Sequence, residues 1–249
     1  MLVMPSNHSN AHKLDSMYPG GFIGQLIGPG GWRNPRGLPF ACDNGRFSCW
    51  SKGKGWDEKA FWSLLVKAEP LSPLWVVVPD EVGDAVRTFD LWQEWSPKLD
   101  CFTRALAVQD GMTPASVRKH TDPAVIFVGG STEWKRQTMW KWCHEFPRVH
   151  VGRINTEKWL WNCARCGAES CDGTGWFRGN KRQLAGLHRF LRRYVTSGTH
   201  PQKFLELEYA RTFGDGVPSV SHVPYRLPRL KPRKPLPGQL ELFKEPPPQ

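Results

Sequence analysis

One repeated theme limits what this chain can fold into. Short apolar or β-branched runs end in polar residues and glycine, and a helical pattern follows each of them. The spacing predicts strands over 38–42, 74–78, 104–108, 125–128 and 149–151, with a shorter one over 168–171. Phe22-Ile23-Gly24 and Leu26-Ile27 offer another short strand inside the Gly- and Pro-rich stretch 20–37. Strands alternating with helices imply parallel pairing through crossovers. The runs are apolar throughout, as strands covered on both faces require. A (β/α) barrel and a doubly wound sheet both satisfy the pattern. No glycine-rich phosphate loop follows the first strand, which disfavours a dinucleotide or nucleoside-triphosphate fold.

The helices carry their own punctuation. Asp57 is placed to cap a helix with Phe61, Leu64 and Leu65 on one face, and Val86, Phe89 and Trp92 continue the pattern in the next. Thr132 opens a helix containing Trp134, Met139 and Trp142. Thr156 caps one carrying Leu160, Cys163 and Ala164, which Gly167 ends. In a later helix Leu184, Leu187, Leu191 and Tyr194 face inward, and Lys181, Arg182, Arg189, Arg192 and Arg193 face outward. Residues 1–20 read as a flexible N-terminus and 21–213 as the folded domain. From about Gly214 repeated prolines and basic residues predict an extended tail over 214–249.

Lys and Arg number 34 against 23 Asp and Glu, a formal charge of +11, which points to a polyanionic partner such as nucleic acid. No apolar run approaches the ~20 residues that cross a bilayer, and the polar start carries no signal-peptide core. The expected location is the cytoplasm, where the seven cysteines stay reduced; an odd count also argues against a disulfide framework.

In alternating α/β folds, function gathers where strands end. Here the strand ends read Cys42-Asp43-Asn44-Gly45-Arg46-Phe47, Pro79-Asp80-Glu81, Gln109-Asp110-Gly111, Gly129-Gly130-Ser131, His150-Val151-Gly152-Arg153 and Ser170-Cys171-Asp172-Gly173. One Asp-Gly after a strand is a turn signal. Several strand ends bearing carboxylates, a carboxamide and a Gly-Gly backbone would suit a purine-like base, because they pair its N–H and carbonyl groups. A spare carboxylate can attack a sugar carbon. Asp84 and Asp110 are alternatives to Asp80 and Asp43, with capping or turn formation as their ordinary role. Trp50 and Trp176, near strand ends, could hold a base out of its stack or replace it.

In this order the motifs resemble the tRNA-guanine transglycosylase superfamily, and more closely the phage and bacterial DNA 7-deazaguanine transglycosylases. The resemblance rests on Asp43, Gly45 and Phe47 as D-x-G-x-F, on Asp80, on Gln109 with Gly111, on Gly129-Gly130, and on the late His-Val-Gly-Arg-Ile-Asn and Ser-x-Asp-Gly-Thr runs. It implies a TIM-like (β/α) barrel, in a reduced form, that exchanges guanine for a 7-deazaguanine such as 7-cyano-7-deazaguanine in DNA. Asp172 would be the nucleophile and Asp43 the general acid/base. Asp80 and Gln109 would read the base, with the backbone of Gly129 and Gly130. Arg153 and Arg178 sit beside these segments and could grip phosphates, although isolated arginines are more often ordinary surface charges. A phage-encoded member would act inside a bacterial host.

The resemblance is incomplete. The tRNA-directed family holds a structural zinc on three cysteines and a histidine beyond the nucleophile, and no cysteine follows Cys171 here. No cofactor is therefore expected. A zinc set would have to combine Cys163, Cys166 and Cys171 with His150 or His188. The difference favours DNA over tRNA. In the tail, Gln239-Leu240-Glu241-Leu242-Phe243 resembles the sliding-clamp-binding peptide, with Gln239, Leu240, Leu242 and Phe243 as its contact residues. The rival readings are a tRNA-guanine transglycosylase, a DNA glycosidase or nuclease, and a DNA-binding accessory protein without catalysis.

Overall fold

A computed structural model describes residues 1–197. Eight parallel strands run β1 Leu2–Pro5, β2 Gln25–Ile27, β3 Phe40–Cys42, β4 Val76–Val77, β5 Arg104–Val108, β6 Val125–Val128, β7 Val149–Val151 and β8 Ser170–Gly173. They lie in the order β1-β8-β7-β6-β5-β4-β3-β2. Single parallel bridges from Val3 to Ile23 and from Ser6 to Leu26 bring β1 against β2, so the sheet is a nearly closed barrel. The fold is a TIM-like (β/α) barrel, and the doubly wound alternative is set aside.

Every crossover except β2–β3 carries helix. The helices are α1 Ala11–Met17, α2 Arg46–Trp50, α3 Glu58–Ala68, α4 Ala85–Trp95, α5 Pro114–His120, α6 Thr132–Glu145, α7 Glu157–Cys166 and α8 Lys181–Ser197. Their starts follow the expected chemistry. Asp57 accepts from the Ala60 amide at 2.9 Å, and Thr156 from that of Trp159 at 3.4 Å. Gly167 closes α7 with φ of 82°, which only glycine adopts without strain. α6 begins one residue later than its cap, Ser131, which accepts from the Trp134 amide.

Two apolar layers result. Leu2, Met4, Leu26, Ala41, Trp75, Val77, Ala105, Ala107 and Val125 fill the barrel interior. A larger cluster between strands and helices takes Val3, Ile27, Cys42, Val76, Leu106, Ile126, Val151 and Cys171, together with Phe61, Leu65, Trp95, Trp142, Leu160 and Phe190. The alternation along each strand assigns its residues to one layer or the other.

Two expectations need correction. The N-terminus is not loosely attached: Leu2, Val3 and Met4 are buried, and β1 pairs with β8 from Leu2↔Ser170 to Pro5↔Gly173. Without this strand the barrel would lie open between β8 and β2. In α4 the buried face is Thr88, Leu91, Trp92 and Trp95, and Val86 is exposed. Asp84 caps α4 and fixes that phase, turning Val86 out. The tail from Gly214, with the peptide Gln239, Leu240, Leu242 and Phe243, lies outside the described residues.

Candidate active site

The C-terminal ends of the strands bring Asp43, Asp80, Gln109 and Asp172 to one mouth of the barrel. Asp172 sits on β8 opposite Met4 of β1 and faces the interior, because Cys171 beside it belongs to the outer layer. The residue is 5% exposed. Oδ1 accepts from His150 Nε2 and from the Arg153 amide, each at 3.1 Å, and Oδ2 accepts from Ser6 Oγ at 2.8 Å. Burial alone would raise this carboxyl. The hydrogen bond and charge of His150, with the Ser6 and Arg153 bonds, instead hold it below the ordinary carboxylate range.

Asp43, directly after β3, behaves oppositely. Burial pushes it up to about 7, helped by the carboxyls of Asp172 and Asp80 and opposed by the amides of Gly45 and Asn44. Asp80, after β4, is pushed up to about 6, again chiefly by burial. Its Oδ1 accepts from Asn44 Nδ2 and its Oδ2 from Gln109 Nε2, both at 2.8 Å. Asn44 also donates to the Val78 carbonyl, tying the end of β3 to the end of β4.

Gln109 does not present a free carboxamide. Its nitrogen lies within 3.0 Å of Asp80 Oδ2, the Glu81 carbonyl and Thr88 Oγ1, and its oxygen accepts from the Gly83 amide. Two hydrogens cannot serve three acceptors fully, so Gln109 is saturated by protein and acts as a brace for Asp80. Gly129 likewise spends its amide on the Val108 carbonyl. Gly130 has φ of 62°, and a Cβ there would lie 2.6 Å from Asp110 Oδ1. Its carbonyl accepts from the Arg153 guanidinium.

Arg153 adopts φ of 60°, and its guanidinium lies 4.4 Å over the Phe47 ring. It therefore spans the ends of β6 and β7 and the start of α2, where the sequence suggested a free phosphate grip. Arg178 is exposed beyond the short turn Gly175–Phe177 that follows β8. Asp84 and Asp110 take structural roles: Asp84 caps α4, and Asp110 accepts from the amide and the hydroxyl of Ser131 at 2.6 Å. Trp176 is core at 1% exposure, whereas Trp50 is 57% exposed beside Phe47.

The structure brings in Ser6 and Lys135, which the sequence did not single out, and gives Asn44, His150 and Ser170, quoted only within strand-end runs or as a zinc candidate, hydrogen-bonding roles at the site. His150 and Ser170 face the interior one layer below Asp172. Lys135 of α6 is 2% exposed and donates to the Gly152 carbonyl at 2.6 Å; burial pushes its ammonium down to about 8. Gly152 lets Phe127 and Asp172 close in on this backbone, since a Cβ there would lie 2.8 Å from the Phe127 ring and 3.4 Å from Asp172 Oδ1. The period-two signal was present in Ser170-Cys171-Asp172 and Val149-His150-Val151, where every second residue shares a face.

The candidate zinc set does not assemble. His150 faces into the barrel and His188 pairs with Tyr18 Oη at 2.8 Å, while Cys163 lies in the outer core against Met139. Among the described residues no group of three or more His, Cys, Asp or Glu side chains is arranged to hold a metal ion. No described helix is long and apolar enough to cross a membrane. Comparison with protein-family models and with curated proteins finds no match.

Proposed function

We propose that this chain is a transglycosylase that replaces guanine in DNA with a 7-deazaguanine base, such as 7-cyano-7-deazaguanine, through a covalent aspartyl-glycosyl intermediate. One observation carries the reading. Two carboxyls at one barrel mouth are driven to opposite protonation states, Asp43 towards the neutral acid near pH 7 and Asp172 towards the anion. Such a split separates an acid from a nucleophile.

In this reading the carboxylate of Asp172 attacks C1′ as the bond to guanine N9 breaks, and Asp43 gives its proton to the departing base. The incoming base then returns a proton to Asp43 and displaces the carboxylate from C1′. Asp80, held by Asn44 and Gln109, accepts from an N–H of the base. The Gly130 carbonyl is a further acceptor once Arg153 moves, and Phe47 offers a ring face for stacking. Guanine must leave its stack to enter. The basic excess, with Arg178, Lys181 and Arg182 exposed on the β8–α8 side, favours a polyanion there.

The test is incubation with DNA or tRNA containing labelled guanine, together with 7-cyano-7-deazaguanine, followed by digestion and mass analysis of the nucleosides. Exchange in DNA without strand breakage is the expected result. Free guanine with no incorporated base would indicate a glycosidase, shortened strands a nuclease, and incorporation only into tRNA the tRNA-directed reaction. Any of these three would overturn the proposal.

A further inference from the structure

His150 is a polar ring sealed inside a largely apolar barrel. It is 0% exposed, stacked on Phe127 with centroids 4.7 Å apart and edge-on to Trp75 at 4.8 Å. Its Nδ1 lies 2.8 Å from Ser170 Oγ and its Nε2 3.1 Å from Asp172 Oδ1. An ionised carboxylate only accepts, so Nε2 carries the proton that faces it. The Ser170 hydroxyl can then donate to a bare Nδ1 or accept from an N–H there. Ser, His and Asp in a row invite comparison with a hydrolytic triad, but here Ser170 is 1% exposed and pairs in register with His150 below the mouth. Substrate reaches the Asp172 end of this relay, not the serine.

We propose that His150, braced by Ser170, is a positioning residue that fixes which oxygen of Asp172 reacts, an inference that rests on the transglycosylase reading. Among the described residues Oδ1 is held by two donors, the His150 ring and the Arg153 amide, while Oδ2 has one, the Ser6 hydroxyl. Oδ2 is therefore the attacking atom. As its bond to C1′ forms and the C1′–N9 bond breaks, Oδ1 becomes the carbonyl oxygen of the ester and keeps both donors. In the return step the N9 proton of the incoming base passes to Asp43, N9 bonds to C1′, and Oδ2 leaves with its electron pair. The same two donors receive the restored charge. The charged or titratable groups around Asp172 are His150 from β7, Arg153 after it, Asp43 beyond β3 and Lys135 from α6.

The experiment compares wild type with His150→Leu, His150→Gln and Ser170→Ala, with folding checked by thermal melting. Single-turnover exchange is followed from pH 4 to 9 in DNA carrying labelled guanine, with 7-cyano-7-deazaguanine as the incoming base. Glutamine can place an N–H where Nε2 stands; leucine cannot. His150→Leu should slow the chemical step on the order of 100-fold. It should also move the acidic limb to higher pH and leave the KM for the incoming base unchanged, while His150→Gln recovers most of the rate. A folded His150→Leu protein with the wild-type rate and acidic limb would overturn the proposal, as would His150→Gln being as slow as His150→Leu.

Histidine-ring 15N NMR of substrate-free protein tests the same contact without turnover. Asp172→Asn should shift the His150 ring signals, assigned by their loss in His150→Gln, and Ser170→Ala should shift Nδ1. Unmoved signals would overturn the proposal even if His150→Leu did not fold. A wild-type protein that exchanged no base while showing these shifts would remove the transglycosylase reading and leave the His150–Asp172 contact standing.

Discussion

On the β3–β5 side of the mouth, Asp43 and Asp80 are pushed up to about 7 and about 6; on the β7–β8–β1 side, the equally enclosed Asp172 is held below the ordinary range. Burial penalises the charge on all three. The difference lies in what surrounds each carboxyl. Asp172 receives donors from a ring nitrogen, a hydroxyl and a backbone amide, drawn from β7, the residue after β1 and the loop after β7. Asp80 receives two neutral amide donors, with Glu81 adjacent, and Asp43 stands beside two other carboxyls. One residue type thus becomes an acid on one side and an anion on the other, according to which strand ends supply N–H and O–H groups.

The largest expected effect comes from removing the anion. Asp172→Asn should fold and lose exchange by on the order of 10⁴-fold or more, measured by single turnover; near-wild-type product would erase the distinction between the two sides. Next, Asp43→Asn should slow the chemical step by about 10²–10⁴-fold. In the wild type that step should decline as pH rises past about 7, where Asp43 loses its proton, and a rate that keeps climbing to pH 9 would assign the acid elsewhere. Asp80→Asn should mainly weaken capture of the incoming base, by about 10–100-fold in KM, as expected for a lost buried base contact. A change in the chemical step with KM intact would make Asp80 part of the reaction rather than of recognition.

The smallest effect concerns stability, and its sign differs between the two sides. Asp43 binds its proton more tightly folded than unfolded. Its contribution is therefore full below the ordinary value of 3.8 and erodes as pH rises to about 7. Asp43→Asn should match wild type in denaturant melts at pH 4 and exceed it by about 1–2 kcal/mol at pH 8, after allowance for solvent screening at the mouth. Asp172 has the opposite linkage: its lowered value stabilises the fold above 3.8, and that contribution is lost as pH falls below it. A stabilised Asp172→Asn at pH 8 would contradict the assignment.

The same contrast explains what could be read from the sequence. Three strands, Arg104–Val108, Val125–Val128 and Val149–Val151, have the boundaries that their apolar runs predict. The gathering of Asp43, Asp80 and Gln109 at one mouth was legible because each follows an apolar run, and that of Asp172 because it ends the last short strand; a barrel collects strand ends. β1 escapes the sequence pattern, since Leu2-Val3-Met4 is a short run at a terminus, although Ser6 and Asn7 follow it in the way polar residues follow the other strands. The partners that set the protonation states were hidden for a physical reason. His150 pairs with Asp172 across 22 positions and Ser6 across 166, contacts made by strand register and barrel closure rather than by local pattern. The sequence places Gln109 at a strand end, but its saturation by Asp80, Glu81, Thr88 and Gly83 depends on the packing of β4, β5 and α4.

The central claim is that the Asp172 carboxylate bonds to a sugar carbon while Asp43 protonates the base. It is tested most directly by mixing the protein at pH 6 with guanine-containing DNA in the absence of an incoming base, denaturing at once and measuring intact mass, followed by peptide mapping. The account predicts a protein–DNA adduct, on Asp172, that has lost guanine, that 7-cyano-7-deazaguanine discharges before denaturation, and that Asp172→Asn does not form. An adduct on another residue, or guanine released at the wild-type rate by Asp172→Asn, would contradict it.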